Sequence, residues 1–216
     1  MDLIYNTDKF QLKDPCGTGQ TFKFIRPADP DEVLDAISNE QYEKDHFLPY
    51  WAELWPSSQA LFNYIFSLQL PARTKVTELG CGLGHISSVL AFRGLNVLSM
   101  DISPIACKYA HKNIIQNGGN ASVICCDWRF IPIKPQSSDL IIAADILYER
   151  RWIEPVLLTI KTILRPKGKV LIADPCRKFW EEFKFQAKKR DFSVSVIHKE
   201  TVNEEKTIVE ILEINR

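Results

Sequence analysis

A glycine-rich segment, Glu78–Gly84 with the sequence ELGCGLG, follows a short apolar run and precedes a stretch of helical character. Three glycines at alternate positions let the backbone turn sharply out of a strand and lie against a ligand, where a Cβ atom would collide. The next helix then points backbone N–H groups at that ligand. Asp101, twenty-one residues after Gly80, ends the next apolar run and is placed to accept hydrogen bonds from ribose hydroxyls. The segment therefore predicts a nucleoside-cofactor site.

The glycine spacing differs from that of a dinucleotide site, whose last glycine comes three residues after the second. The residue three after Gly82 is His85, so a pyrophosphate seat is not evident. The Glu78 carboxylate would repel a pyrophosphate but would lower the energy of a nearby cation. The pattern resembles motif I of the Rossmann-like S-adenosylmethionine methyltransferases, whose cofactor carries a sulfonium. This resemblance implies S-adenosyl-L-methionine as cofactor, with motif residues Glu78, Gly80, Cys81, Gly82, Gly84 and Asp101 at its site.

Composition limits the domain organisation and the partners. Of 216 residues, 45% are hydrophobic, which favours one α/β domain with a short extension. The resemblance implies that this is a methyltransferase domain, expected over residues 49–216 after an extension over residues 1–48. Twenty-seven basic residues balance twenty-seven acidic ones, so no nucleic-acid partner is expected. The N-terminus lacks the basic and apolar sections of a signal peptide, and no apolar run approaches a membrane span. A cytoplasmic protein without a membrane partner is expected.

The cysteines do not suggest a metal or disulfide framework. They form neither a C-x-x-C pair nor a regular spacing, and one of them lies inside the glycine turn. Reduced and mostly buried thiols are predicted, and no metal site is expected. The six are Cys16, Cys81, Cys107, Cys125, Cys126 and Cys176.

Strand and helix patterns alternate along most of the chain, which predicts a parallel sheet with helices on both faces. An N-terminal hairpin over about residues 9–26 and a short helix from Asp29 through Ile37 come first. The predicted strands are Val76–Leu79, Val97–Met100, Val123–Cys126, Leu140–Ala143 and Lys169–Ala173. The predicted helices begin at about Ser57 and cover His85–Arg93, Pro104–Asn117 and Trp152–Leu164. An antiparallel hairpin, Phe192–His198 and Thr207–Ile214, completes a seven-stranded sheet.

Ligands of such sheets lie across the carboxyl ends of the strands, so the residues after each strand are site candidates. Asp127 and Trp128 follow the third strand. A carboxylate there can accept from the adenine amino group, and an indole offers an apolar face to the purine ring. Ala144–Tyr148, with the sequence ADILY, follows the fourth strand. The plainer interpretation of Asp127 is a helix cap or turn, and that of Trp128 is core packing.

The ordered elements resemble the family 16 protein-lysine methyltransferases, whose mark is an acid-x-x-Tyr motif after strand four. The residues that carry the resemblance are Trp55-Pro56, Glu78–Gly84, Asp101, Asp127-Trp128 and Ala144–Tyr148. Pro49–Pro56 (PYWAELWP) and Asp174–Arg177 (DPCR) are similar to the branch that methylates the β subunit of electron transfer flavoprotein. The resemblance implies a protein substrate, with that subunit as the candidate. It also implies a cofactor pocket lined by Trp55, the glycine-turn backbone, Asp101, Trp128 and Ala144.

The chemistry implied by this resemblance is an in-line displacement at a methyl group. A lysine nucleophile has to arrive neutral although its unperturbed pKa is about 10.4, and an aromatic, dehydrated channel beside a carboxylate favours this. Asp145 is the candidate for the orienting carboxylate and Tyr148 for a wall along the aliphatic stem. Trp55 is expected at the cofactor and Trp51 toward the substrate. The plainer interpretation is a helix cap for Asp145 and packing for Tyr148.

Two other functions stay open. A small-molecule N- or O-methyltransferase would share the cofactor half and differ mainly in how the N-terminal segment closes the acceptor site. A noncatalytic cofactor-binding subunit is the other, although intact acids at 101 and 145 weigh against it. Ile146 and Leu147 stand where amide and base methyltransferases have two prolines, which argues against a glutamine, adenine or cytosine acceptor.

Overall fold

The computed structural model describes residues 6–29, 32–33, 48–202 and 206–216. The hairpin strands are β1 (Thr7–Lys13) and β2 (Thr21–Pro27). The sheet strands are β3 (Lys75–Leu79), β4 (Asn96–Asp101), β5 (Ala121–Cys125), β6 (Ser138–Ala144), β7 (Leu164–Asp174), β8 (Ser193–Val202) and β9 (Thr207–Asn215). The helices are α1 (Pro56–Ser67), α2 (His85–Phe92), α3 (Pro104–Gln116), α4 (Ile153–Ile163) and α5 (Trp180–Lys188), and short 3-10 turns lie at Tyr50–Ala52, Trp128–Phe130 and Arg150–Trp152.

The large sheet has the strand order β5-β4-β3-β6-β7-β9-β8. The first five of these strands are parallel, and β9 runs antiparallel to both β7 and β8. Within the large sheet, the chain forms β3 first, then moves outward to β4 and β5, and then crosses to β6 on the other side of β3. The switch point of the topology therefore lies between the carboxyl ends of β3 and β6, where ligands of such sheets bind. The predicted seven-stranded α/β fold is confirmed.

One strand boundary differs clearly from the sequence-based prediction. β7 begins at Leu164, directly after α4, whereas the pattern predicted a start at Lys169. Leu164 is fully buried and pairs with Ser138, and the register then shifts so that Lys169 pairs with Leu140. The intervening residues, Arg165-Pro-Lys-Gly168, have the composition of a turn. Their contribution to the strand could not be read from composition because it depends on the irregular pairing with β6.

Two apolar layers cover the faces of the sheet. On one face, α1 and α2 pack with the hairpin around a cluster that includes Phe22, Phe62 and Leu90. On the other face, α4 and α5 contribute a cluster that includes Leu157 and Trp180. The apolar positions of α4 recur at helical spacing, so Val156, Leu157, Ile160 and Ile163 are all fully buried. The sheet is therefore held rigidly beneath the loops of its carboxyl edge.

The predicted N-terminal hairpin is present, and it packs on the sheet domain. Phe22 and Phe24 are buried in the core. Asn113 of α3 holds β2, since its Oδ1 accepts from Ile25 N at 2.8 Å and its Nδ2 donates to Ile25 O at 2.9 Å. The boundary at residue 48 stays a prediction. Of the short helix predicted from Asp29, most lies outside the described residues.

Candidate functional site

A cleft with a volume of about 100 Å³ lies at the carboxyl edge of the sheet, at the switch point. Residues after β3, β4, β5 and β6 meet there with the segment that leads into α1. Most of the predicted site residues line this cleft, namely Trp51, Trp55, Glu78, Gly80, Cys81, Gly82, Asp101, Trp128, Ala144, Asp145 and Tyr148. Gly84 and Asp127 do not line it. The residues with predicted cofactor and acceptor roles thus share one space.

The glycine turn after β3 has the backbone conformation that its sequence predicts. Gly80 has φ +69°, and a Cβ added there would lie 2.9 Å from Ile146 Cγ2 and 3.3 Å from Trp128 Cζ2. Gly84 has φ +78°, and its Cβ would lie 2.9 Å from the Cα of Ala110 in α3. Glycine is therefore required at Gly80 by the floor of the cleft, whereas at Gly84 it allows α2 to approach α3. A cofactor contact by Gly84 stays a prediction.

Asp101 joins the glycine turn to the end of β4. Its Oδ2 accepts from Gly82 N at 2.9 Å, and its Oδ1 accepts from Ser103 N at 2.9 Å. Burial raises the pKa of this carboxyl, and the three backbone N–H groups around it oppose that shift. Each carboxylate oxygen has more than one acceptor site, so both remain able to receive ribose hydroxyls. The geometry suits the predicted ribose role.

Glu78 lies buried beneath the glycine turn, at the N-terminal end of α2. Its Oε2 accepts from Ser87 N at 3.1 Å and from the Ser87 hydroxyl. Burial raises the pKa of Glu78 to about 8, because the low-dielectric surroundings disfavour the charged form. A cation in the cleft would stabilise the carboxylate, so this side chain is suited to a sulfonium cofactor and not to a phosphate.

Trp128 forms one wall of the cleft and Asp127 lies beside it. The Trp128 ring faces Gly80 and packs edge-on against Trp152, with 5.5 Å between ring centroids. The Asp127 carboxylate accepts from Arg129 N at 2.8 Å and pairs with the Arg129 guanidinium at 2.5 Å. Asp127 thereby caps the short 3-10 turn, which is the plainer of its two interpretations. It also borders a small adjoining hollow with Trp128, and its contact with adenine stays a prediction.

Asp145 follows β6 in a left-handed conformation, with φ +59°, and its side chain is buried. Its Oδ2 accepts from Ser57 N at 3.1 Å, and its Oδ1 lies 2.7 Å from Nη2 of Arg177. The carboxylate therefore caps α1, a helix whose own N-cap side chain makes no such bond. Burial raises the pKa of Asp145, and the Arg177 charge opposes that shift.

Aromatic rings surround the acceptor side of the cleft. The rings of Tyr148 and Tyr50 have centroids 5.1 Å apart, and those of Tyr50 and Trp55 have centroids 5.9 Å apart. Trp55 Nε1 donates to the carbonyl oxygen of Tyr50 at 2.6 Å. Burial raises the pKa of Tyr148, so this phenol stays neutral. These rings form a wall of the kind predicted for the stem of a lysine.

The two tryptophans of the PYWAELWP segment lie in different surroundings. The Trp51 carbonyl oxygen lies against Gly82, and the Trp51 ring packs on Tyr109 with 5.6 Å between centroids. The Arg177 guanidinium lies 5.8 Å from the centre of the Trp55 ring. Trp51 therefore contacts the glycine turn, and Trp55 contacts the group that pairs with Asp145. The predicted division, with Trp55 at the cofactor and Trp51 toward the substrate, stays a prediction.

Three residues in or near the cleft bear on its shape and charge although they were not among the predicted site residues. Ile146 packs where a side chain at Gly80 would lie. His85 lines the cleft between the rings of Phe10 and Phe24, and burial lowers its pKa to about 3. Arg177 follows β7 at the same edge of the sheet. The segment Asp174–Arg177 was noted for its resemblance, but no site role was assigned to Arg177, although it follows the fifth predicted strand at the edge where ligands bind.

Two absences apply to the described part of the chain. Among residues 6–29, 32–33, 48–202 and 206–216, no group of three or more His, Cys, Asp or Glu side chains could hold a metal ion. Within the same ranges, no helix is long and apolar enough to cross a membrane.

The strand order, the glycine turn and the strand-end acid together define a class I methyltransferase fold. The model of the methyltransferase domain matches residues 71–215, and the chain belongs to this family. A solved structure, a TehB-like SAM-dependent methyltransferase from Corynebacterium glutamicum, aligns with a TM-score of 0.57 at 18% identity, covering 82% of this chain and 97% of that one. The predicted methyltransferase fold and its cofactor, S-adenosyl-L-methionine, are confirmed.

Two relatives carry names that describe their substrates. The electron transfer flavoprotein beta subunit lysine methyltransferase of Danio rerio is 32% identical over 137 residues, which is 62% of this chain and 53% of that protein. The EEF1A lysine methyltransferase 3 of Mus musculus is 30% identical over 131 residues, which is 58% of this chain and 56% of that protein. The chain thus spans about half the length of these relatives. The resemblance to the flavoprotein branch is confirmed, and membership of family 16 stays a prediction.

Proposed function

We propose that this protein transfers a methyl group from S-adenosyl-L-methionine to the side-chain nitrogen of a lysine in a protein. The observation that carries the proposal is the position of Asp145. Its carboxylate shares one cleft with the glycine turn and Asp101, and an aromatic wall lies beside it. The match to the methyltransferase domain and the relatives named as lysine methyltransferases support it.

The cofactor half of the cleft fits a nucleoside with a cationic centre. Asp101 would accept the ribose hydroxyls, and Trp128 would provide an apolar face for the purine. Glu78 supplies a buried carboxyl near the place where positive charge would lie. When bound, the cofactor supplies an electrophilic methyl group on sulfur. The floor at Gly80 lets that group approach closely because no side chain intervenes.

The acceptor half of the cleft would orient the nucleophile. A lysine ammonium first gives a proton to water, since only the neutral amine has the lone pair that attacks. The bound cofactor would supply the methyl group in line with this lone pair, so that the nitrogen–carbon bond would form as the carbon–sulfur bond breaks and the positive charge would pass from sulfur to nitrogen. Asp145 would accept a hydrogen bond from the amine and aim its lone pair, while Tyr148 and Tyr50 hold the stem and exclude water. Alignment and desolvation supply most of the rate.

The identity of the protein that this chain methylates is also part of the proposal. The β subunit of electron transfer flavoprotein is the first candidate, because relatives named for that substrate are about 30% identical to this chain. A cytoplasmic location and the absence of a membrane or nucleic-acid partner stay predictions. A small-molecule N- or O-methyltransferase remains the second candidate function, since such an enzyme would use the same cofactor half.

The test is a transfer assay with radiolabelled S-adenosylmethionine, the purified flavoprotein subunit and, separately, a lysate of the source cell resolved by size. Label on a discrete protein band, mapped by mass spectrometry to a lysine, is expected. Label confined to small molecules, in a protein shown to bind the cofactor, would move the assignment to a metabolite methyltransferase. Asp139→Asn is a matched control for Asp145→Asn, because Asp139 also accepts a backbone N–H but lies outside the cleft.

A further inference from the structure

We propose that Arg177 is a positioning residue of the acceptor site. Its guanidinium fixes the Asp145 carboxylate and, as a permanent positive charge beside it, favours the neutral form of the incoming amine. This inference rests on the proposed function, because it takes Asp145 as the carboxylate that the lysine meets.

The contacts of Arg177 fix its position on three sides. Nη2 lies 2.7 Å from Oδ1 of Asp145, and Nη1 lies 3.2 Å from Oδ2 of Asp174. Arg177 N also donates to Oδ1 of Asp174 at 2.8 Å, which ties the loop to the end of β7. The Trp55 ring is near enough to the guanidinium for a cation–π contact. A planar guanidinium held in this way has little freedom to leave Asp145.

The same contacts determine which way Asp145 points. Ser57 N donates a hydrogen bond to Oδ2 and the Arg177 guanidinium forms an ion pair with Oδ1, and these two partners belong to α1 and to the loop after β7. Asp145 itself lies in a left-handed backbone conformation after β6. The carboxylate is therefore clamped between two other segments of the chain. Loss of Arg177 would free one oxygen and leave the side chain held only by the helix cap.

The charge of Arg177 also affects the substrate. With the guanidinium present, two carboxylates at the ends of β6 and β7 share one fixed cation. Without it, Asp145 would have the buried Asp174 carboxyl as a neighbour with no cation between them, and two such carboxyls retain a proton more readily. In the absence of Arg177, a proton is retained either on the lysine ammonium or on one of the two carboxyls. In both cases a neutral amine beside an ionised Asp145 forms less readily. Arg177 would thus let the carboxylate orient the lysine without trapping its charged form.

The other charged groups around this pair do not replace Arg177. Asp174 lies on β7, and burial raises its pKa to about 6 while Arg177 opposes the shift. Across from it on β9, Glu210 already pairs with Lys199 at 2.7 Å and with Lys184 at 3.3 Å. On the cleft side, apart from Asp145 itself, the ionisable groups are three carboxyls, two phenols, a thiol and an imidazole whose pKa burial lowers to about 3, namely Glu53, Glu78, Asp101, Tyr50, Tyr148, Cys81 and His85. Among the described residues that line the cleft, no lysine or arginine is present.

The experiment compares Arg177→Met, Arg177→Lys and the control Arg165→Met in kcat/KM for the lysine-bearing protein as a function of pH. Arg165 also pairs with an aspartate, Asp139, at 2.5 Å, but outside the cleft. In Arg177→Met, the acidic limb of the kcat/KM–pH profile should move to higher pH by about one unit. As a result, kcat/KM should fall about tenfold at neutral pH and recover at alkaline pH. Arg177→Lys should restore much of the parent profile, and Arg165→Met should match the parent.

Cofactor binding is the second measurement, by calorimetry with S-adenosylhomocysteine as the probe. Unchanged affinity in Arg177→Met, together with the shifted profile, supports the proposal. A uniform loss of kcat/KM at every pH would mean a structural role and would overturn it. If the methionine variant does not fold, Arg177→Gln gives the same test, because it keeps a hydrogen-bond donor and removes the charge.

Asp145→Asn distinguishes failure of this inference from failure of the proposed function. If Asp145→Asn retains turnover, Asp145 is not the acceptor carboxylate and both proposals fail at that point. If Asp145→Asn loses turnover while Arg177→Met keeps the parent pH profile, only the role of Arg177 is refuted.

Discussion

The two halves of the cleft are built in different ways. The proposed cofactor half, after β3 and β4, is made mainly of backbone, since three glycines turn the chain and Asp101 accepts a hydrogen bond from Gly82 N in that turn. The proposed acceptor half, after β6 and β7, is made of side chains from distant segments. Asp145 meets Ser57 from 88 residues away and pairs with Arg177 after the next strand. The local backbone conformation thus determines the structure of the first half, and tertiary contacts determine that of the second.

This difference predicts that changes in the two halves affect different quantities. The largest effect is expected for Asp145→Asn, which removes the charge that orients the amine. Turnover should fall on the order of a hundredfold, because a misplaced nucleophile loses that much rate, while cofactor affinity stays near that of the parent. Steady-state kinetics and calorimetry on the same preparation check this. Turnover within a few-fold of the parent would remove Asp145 from the acceptor site.

Gly80→Ala should strongly weaken cofactor binding. The new Cβ would lie 2.9 Å from Ile146 and 3.3 Å from Trp128, so the floor and wall of the cleft must move. The positive φ also adds strain of about 1–3 kcal/mol to the folded state. Gly94→Ala is the matched control, because its φ is +77° and a Cβ there meets nothing within 4 Å. Both variants should lose stability in thermal unfolding, but only Gly80→Ala should lose cofactor affinity; equal affinities would contradict the role of the turn.

Asp101→Ala should produce an intermediate effect on the cofactor half. Ribose hydroxyls would lose a charged acceptor worth about 1.5–3 kcal/mol, so the cofactor Kd should rise on the order of tenfold to a hundredfold. The glycine turn also loses its bond from Gly82 N, which acts in the same direction. Calorimetry with S-adenosylhomocysteine gives the Kd directly. An unchanged Kd would show that the ribose lies elsewhere.

An effect on stability that depends on pH, and not on cofactor affinity, is expected for Glu78→Gln. The pKa of Glu78 is raised from 4.5 to about 8 in the folded protein, so the folded state holds this proton more tightly than the unfolded chain does. The parent should therefore lose stability relative to Glu78→Gln as the pH rises from 4.5 to about 8. Thermal unfolding of both proteins across this range measures the difference. Parallel curves would mean that Glu78 has no raised pKa.

The cofactor half could be predicted from sequence because its determinants are local. An acid, three alternating glycines and a strand-end acid occur in order along a short stretch, and the backbone turn follows from the glycines themselves. The core strands and the closing hairpin also follow from hydrophobic periodicity. The start of β7 at Leu164 could not be predicted from periodicity, because it depends on an irregular pairing with Ser138.

The acceptor half could be predicted only as a set of candidate residues. Sequence position indicated Asp145 and Tyr148 at a strand end, but not that Asp145 caps α1 through Ser57 N. The pairing of Arg177 with Asp145 also depends on the loop after β7, whose path no local spacing encodes. Contacts between segments so far apart in sequence are decided by the packing of the whole sheet, and that packing is visible only in the structure.

The most direct test of the difference between the halves is single-turnover methyl transfer to a lysine-bearing protein, measured for Asp101→Ala and Asp145→Asn as the cofactor is raised to saturation. The Asp101→Ala rate should recover toward that of the parent at saturating cofactor, because only binding is impaired. The Asp145→Asn rate should stay low at every cofactor concentration. Recovery of both variants, or of neither, would contradict the separation of cofactor binding from amine orientation.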